Sequence, residues 1–377
     1  MESSASPRRR GLLLSLVASA GLVFAACSGS TASPSSAASA PPASAGGSTA
    51  ASAPASGGTV TLPAPEKKTL KIGLSTGGEA SQYAEYLAQQ LDFYKKYGGF
   101  DSVEVSGLQG DAKVVQALVA GGLDMGVLGV SSAISSQTTD TPLKVVSLNG
   151  VTLTDMLVCG KDVKAAADVK GKTVAVSTFG GTSHGSVIIL LSQLGLTAND
   201  VTITQVGNQD ARLAAVKAGS VACAPIDLAQ KDAVTQAGLS IITDNKSSGK
   251  QWGRSGLAAT ADFISKNPNT VLGVVASALA AQNYMFTNTD DAAAKFAEYS
   301  QQSADDAKGI IEDFTTWGDR SMDWTDDAFN YPKEVLAAVN PQMKDVDVTT
   351  AYDKTFLQKL NQMGFYDAIG DPEKPTQ

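Results

Sequence analysis

The sequence predicts an α/β protein built of two doubly wound lobes, and three observations carry that prediction. Short apolar runs alternate with segments of helical apolar periodicity from residue 70 onward. The alternation breaks near residue 155 and then starts again. The stretch ALVAGGLD at 117–124 is echoed by AAVKAGSVA at 214–222, each a helix stopped by glycine with the chain turning straight into the next strand.

In order, the run LKIGL at 70–74 predicts the first strand. Tyr83, Tyr86, Leu87, Leu91 and Tyr94 make the apolar stripe of a helix over 80–96. Strand 103–106, helix 112–120, strand 125–128, helix 131–137 and strand 144–148 follow, which is the order of a parallel sheet covered by helices. Residues 155–159 are expected to cross between lobes. The pattern then restarts with strand 173–176, helix 183–194, strand 201–206, helix 210–218, strand 221–224, helix 227–237 and strand 240–243. From Gly256 one more strand is followed only by helices. The apolar run 271–281 among them is too short to span a bilayer and reads as core.

The N-terminus predicts export. Arg8, Arg9 and Arg10 precede an apolar stretch that ends in small residues at Ala25 and Ala26, so residues 1–26 read as a signal peptide. The run ending at Cys27 resembles a bacterial lipobox, with Phe24 where leucine is usual, and Cys27 is the expected lipidation site. The paired arginines also resemble a twin-arginine signal, so both export routes stand. Residues 28–65 carry no charge and no aromatic ring. Residues 27–65 therefore read as a lipidated cysteine and a disordered tether, about 34 Å in root-mean-square length.

Composition narrows the chemistry. The 377 residues hold 29 Lys and Arg against 37 Asp and Glu, and losing the basic leader makes the remainder more acidic still. A nucleic-acid partner is not expected. One histidine excludes multi-histidine metal sites, and three scattered cysteines exclude zinc ribbons and disulfide scaffolds. Cys159 and Cys223 read as buried thiols, with pairing in an oxidising compartment left open. The run GTSHG at 181–185 matches a nucleophile elbow, but His184 lies inside the motif and no histidine follows it, so a hydrolase is not expected.

The segments AADVKGKTVAVS, GGTSH, RLAAVKAGSVACAP, SGLAATADFISKNP and YDKTFLQKL, in that order, resemble the sulfonate/nitrate/taurine-type substrate-binding proteins of ABC importers over about residues 68–362. The resemblance implies a type II periplasmic-binding-protein fold with a ligand cleft and hinge between its lobes. Lobe I would be 66–153 plus 250–377, and lobe II 154–249. It also implies a monomeric, membrane-anchored receptor serving an ABC permease, with no cofactor and no enzymatic activity. A ligand-sensing co-receptor is the rival. The same superfamily holds thiamine-pyrimidine synthases with a cysteine cluster, which this chain lacks.

Ligands of such sheets gather beyond strand C-termini, near helix N-termini. The candidate ligand-binding residues are Ser75, Thr76, Gly129, Ser131 and Asn149 from the first half, and Phe179, Gly181, Thr182, Ser183, His184, Asn208 and Asp227 from the second. For Gln209 and Asp227 a helix cap or turn is the competing role. Arg212 reads as a structural ion-pair partner, and Trp252 or Arg254 as residues able to reach the cleft mouth. Neutral donors at helix starts favour a small oxyanion or sulfonate. Tyr83, Tyr86 and Phe179, with Asp227 or Glu79, would instead suit a vitamin-precursor heterocycle, pyrimidine or flavin-like.

Overall fold

The computed structural model describes residues 60–108 and 110–375. The segment expected to be a signal peptide, Cys27 and the expected tether up to residue 59 lie outside the described residues. The last part of the proposed tether is not free: Val60 and Leu62 pack against the core of the first lobe. These are the two large apolar side chains of an otherwise small-residue segment, so they have surface to bury.

The strands are β1 (Thr69–Leu74), β2 (Ser102–Gly107), β3 (Met125–Leu128), β4 (Leu143–Leu148), β5 (Asp155–Cys159), β6 (Thr173–Val176), β7 (Thr202–Gln205), β8 (Cys223–Asp227), β9 (Ser240–Asp244) and β10 (Gly256–Thr260). They form two sheets, ordered β2-β1-β3-β10-β4 and β7-β6-β8-β5-β9. Each sheet with its helices is one lobe.

The expected all-parallel sheets are in fact mixed. β10 runs antiparallel to β3 and β4, and β5 runs antiparallel to β8 and β9. These are the strands on which the chain passes between lobes, and a chain arriving from the opposite lobe enters the sheet against its neighbours. Residues 155–159, expected only to cross, are therefore a fully buried strand. β8 lies two to three residues later than expected because Pro225 breaks its strand pattern. The proline is tolerated because β8 meets β6 only at Cys223, leaving the nitrogen of Pro225 without a ladder to complete. The expected helix 80–96 is interrupted: Ala80–Gln82 is 3₁₀, Tyr83–Gln90 is α-helical, and Asp92 takes a left-handed φ of 55° before Phe93–Lys96.

The helix echo is reproduced. Helices Asp111–Val119 and Gln209–Lys217 both end in a left-handed glycine, Gly121 and Gly219. Lobe II carries one apolar cluster on each face of its sheet: Leu157 and Cys159 point to one, Met156 and Val158 to the other. Cys159 and Cys223 oppose each other across the β5–β8 ladder and are joined as a disulfide, in place of the buried thiols expected. The run 271–281 lies in a 20-residue helix, Pro268–Thr287, with fifteen buried residues. No helix among the described residues is long and apolar enough to cross a membrane.

Asn149 directly follows β4 and is buried in this core. Its amide donates to the Ser81 carbonyl at 2.8 Å and approaches a carboxylate oxygen of Glu85 at 3.5 Å. Glu85 is fully buried, and burial pushes its carboxyl up to about 7 from 4.5. The folded protein thus holds a proton between about pH 4.5 and 7 that the unfolded chain has released, so stability falls as pH rises through that window. The difference is about 3 kcal/mol once both states are ionised. Glu85→Gln is expected to leave stability near pH 4 little changed and to raise it at pH 8. Urea unfolding against pH checks this, and parallel curves for the two proteins would refute it.

Candidate functional site

The C-terminal ends of β1 and β3 face those of β6, β7 and β8 across the cleft. In the first lobe Gln82 holds the loop after β1: its amide nitrogen donates to the Ser75 and Thr76 hydroxyls at 2.9 and 2.6 Å, and its carbonyl accepts the Thr76 N–H at 3.0 Å. Asp111 accepts from the Gly129 N–H and the Ser132 hydroxyl. Burial raises its carboxyl pKa against the pull of those bonds.

In the second lobe the helix Thr182–Gln193 begins at the cleft, with Gly181 as its N-cap. Ser183 turns its hydroxyl back to accept the Ser177 N–H at 2.8 Å. The lobes meet at Gly129, where a Cβ would stand 2.3 Å from the Thr182 hydroxyl. Glycine is required there by this close approach.

Two cavities occupy the cleft, of about 180 and 400 Å³. Of the expected residues, Ser75, Thr76, Gly129, Gly181, Thr182, Ser183, Asn208 and Asp227 line one or both. Ser131, Asn149, Phe179 and His184 are not brought there. Ser131 and Asn149 are wholly buried, Phe179 is 57 % exposed, and the His184 ring accepts the Gly180 N–H at Nδ1, 2.9 Å away. Burial lowers the His184 pKa, which suits that accepting, neutral ring. Ser183 bonds Ser177, so nothing of a nucleophile elbow is assembled. The second glycine of GTSHG, Gly185, is bare because the ring of the buried Trp252 rests on it.

Of the caps weighed for Asp227 and Gln209, that of Asp227 is realised, whereas Gln209 is the first residue of a helix capped by Asn208. Asp227 Oδ1 accepts the Ala229 N–H at 2.9 Å, and the Asp227 N–H donates to Gln209 Oε1 at 2.9 Å. Asp227 Oδ2 also takes the Thr154 hydroxyl and the Arg254 guanidinium. Arg254 reaches further, to Glu79 at 3.6 Å. It thus lies inside the cleft, whereas Trp252 does not reach it.

Arg212 departs most from expectation. It is 6 % exposed and lines the smaller cavity. Its Nε and Nη2 donate to the Pro225 carbonyl at 3.2 and 3.1 Å, and its Nη1 to the Gly207 carbonyl at 3.0 Å. Among the described residues no carboxylate pairs with it directly. Asp155 and Glu79 act on it from further away, against a desolvation that pulls its pKa down. Three of its five N–H donors are used, leaving a charged fork anchored from behind by carbonyls. The sequence signal was its place four residues after the cap Asn208, since helical side chains lean toward the N-terminus and hence toward the cleft. Asp155, lining the same cavity, is raised in pKa by burial and held down by Arg254.

Two α/β lobes with mixed sheets, facing strand ends and a cleft between them define the periplasmic-binding-protein fold. The sequence matches the NMT1-like family over residues 63–300, and the chain belongs to that family. It is 26 % identical over 251 residues to the taurine-binding periplasmic protein of Escherichia coli (strain K12), covering 64 % of this chain and 77 % of that protein. Among solved structures it is similar to the alkanesulfonate-binding protein SsuA from Xanthomonas axonopodis pv. citri bound to MOPS, with a TM-score of 0.64 and 17 % identity over 77 % of this chain and 99 % of that one. The periplasmic nitrate-binding protein NrtA from Synechocystis PCC 6803 gives 0.63 and 16 % over 83 % and 93 %. The desulfurization enzyme DSZB has the fold too, at 0.55 and 15 % over 78 % and 99 %, so fold alone does not separate binding from catalysis.

Proposed function

We propose that this protein is an extracytoplasmic receptor of an ABC importer that closes its lobes on a small sulfonate-type solute and delivers it to a membrane permease. The observation that carries this reading is Arg212, a buried guanidinium facing a cavity with no directly paired carboxylate. A buried charge left so is costly, and a bound anion would supply the partner. The start of the helix Thr182–Gln193 and the Thr182 hydroxyl add neutral donors around the same space. Asp155 on the same wall favours a zwitterion, such as taurine, over a bare oxyanion.

The three rings named for the heterocycle alternative do not line the cavities, whereas Trp317 lines the larger one. Tyr83 is buried against Phe296 and Tyr299, with ring centroids 5.0 and 5.5 Å away, and Tyr86 lies 4.1 Å from Tyr299. Phe179 lies edge-to-face with His184 outside the cavities. Capture and release need no covalent step, so the protein acts as a carrier and not as an enzyme. A thermal-shift panel tests the reading, since stabilisation follows ligand concentration over its dissociation constant. Taurine and short alkanesulfonates should raise the melting temperature, and nitrate or bicarbonate less. A response to pyrimidines or flavin-like rings alone, or turnover of a bound compound, would refute it.

The disulfide fits an oxidising, extracytoplasmic compartment. Lipid on Cys27 would hold the receptor beside its permease through two acyl chains. Cys27→Ser should release the protein from the membrane fraction, and unchanged membrane association would count against the anchor.

A further inference from the structure

The two cavities of the cleft share Thr76, Glu79, Asn208, Gln209 and Arg254 as common lining. Of these, Arg254 has the longest side chain, and it is tied down on every side. It stands on the segment leading into β10 of lobe I and bonds Asp227, at the end of β8 in lobe II, and the Thr154 hydroxyl. Glu79 of lobe I lies 3.6 Å from it, and its guanidinium lies 5.3 Å from the centre of the Trp317 ring, which lines only the larger cavity. Arg254 is 8 % exposed. Its charge is met by Asp227 and Glu79, so it is not the group that awaits an anion; Arg212 is.

We infer that Arg254, bonded to Asp227 across the cleft, is the wall that limits ligand length: it closes the Arg212 cavity of about 180 Å³ against the neighbouring one of about 400 Å³. Arg254 is therefore a specificity-determining residue. This rests on the sulfonate reading of the Arg212 cavity. An anionic head seated at Arg212 directs its chain toward the partition, and a chain too long must break a buried ion pair to pass. Breaking such a pair is expensive because it leaves a charge unpaired away from water.

The test is a titration of linear alkanesulfonates, methane- to octanesulfonate, by calorimetry. The unmodified protein should bind the short members and lose about ten-fold or more in affinity at the first chain that does not fit. In Arg254→Ala/Asp227→Asn, which removes wall and counter-charge together, that drop should move to longer chains by about two carbons. If that variant does not fold, Glu79→Gln/Asp227→Asn unties Arg254 from both carboxylates and should produce the same displacement. Trp317→Ala enlarges the far cavity while keeping the wall, so its drop should stay at the original chain length.

An unchanged drop in the untied variants, or a gradual rise through octanesulfonate in the unmodified protein, would overturn the wall. A displaced drop in Trp317→Ala equal to that of the Arg254 variant would overturn it as well. No binding of any member by the unmodified protein would instead overturn the sulfonate reading, and the wall with it.

Discussion

Arg212→Gln is expected to cost about thirty- to a few-thousand-fold in affinity for any sulfonate the protein binds, while the lobes stay folded. Removing one partner of a desolvated charge pair costs about 2–5 kcal/mol, and each 1.4 kcal/mol is ten-fold. The full range applies because Arg212 is deeply buried and the other guanidinium lining its cavity, Arg254, is already met by Asp227 and Glu79. Glutamine keeps an amide to donate to one carbonyl, but Gly207 and Pro225 both rely on the guanidinium, so some loss of stability accompanies the change. Arg212→Lys separates the two effects: it keeps the charge, loses the planar fork, and should fall between the parent and Arg212→Gln in affinity. Calorimetry with taurine, beside urea unfolding of each variant, reads both. Binding within a few-fold of the parent in a folded Arg212→Gln would place the anion elsewhere in the cleft.

The alternation of strands and helices was legible because each element of a sandwiched sheet must be apolar on the faces it buries, and LKIGL or TVAV shows this without its partners. Strand direction was not, since an apolar run such as β5 or β10 carries no mark of the direction in which it enters a sheet; only the passage of the chain between lobes turns them antiparallel. The loops of the site were legible as hydroxyls and glycines at strand ends. Four of the twelve residues taken from those loops face the core or the outer surface, because a loop's composition does not say which way each side chain turns. Glu79, Asp227 and Arg254 were named and do line the cleft, but Arg212 was taken for an ion-pair partner and Asp155 was not singled out, for a different reason. Arg212 and Asp155 belong to a helix and a strand, where a charge reads as a surface feature or an ion-pair partner. Their role depends on the cleft that a second lobe closes over them.

Removing the disulfide should cost several kcal/mol of stability, about 4 by the loop-closure argument, without touching the site. Cys159 and Cys223 are 64 residues apart, and closing a loop of that length in the unfolded chain corresponds to about 4 kcal/mol in the chain-entropy treatment. The native sheet already sets the two residues opposite each other, so breaking the bond leaves the fold its geometry and acts chiefly on the unfolded state. The bond encloses β6, β7 and the helices between them, which is most of lobe II. Its loss should therefore loosen lobe II first, including the helix Thr182–Gln193 that packs on the same sheet face as Cys159 and begins at the cleft. Cys159→Ala/Cys223→Ala is expected to unfold at markedly lower urea than the parent, with faster amide exchange over 154–249 than over the first lobe, and reductant should bring the parent to nearly the same midpoint. Ligand affinity should change far less, since neither sulfur lines a cavity. Equal midpoints with and without reductant, in a parent whose intact mass shows the bond formed, would mean that the enclosed segment keeps its pairing when unfolded and that the loop-closure argument does not hold here.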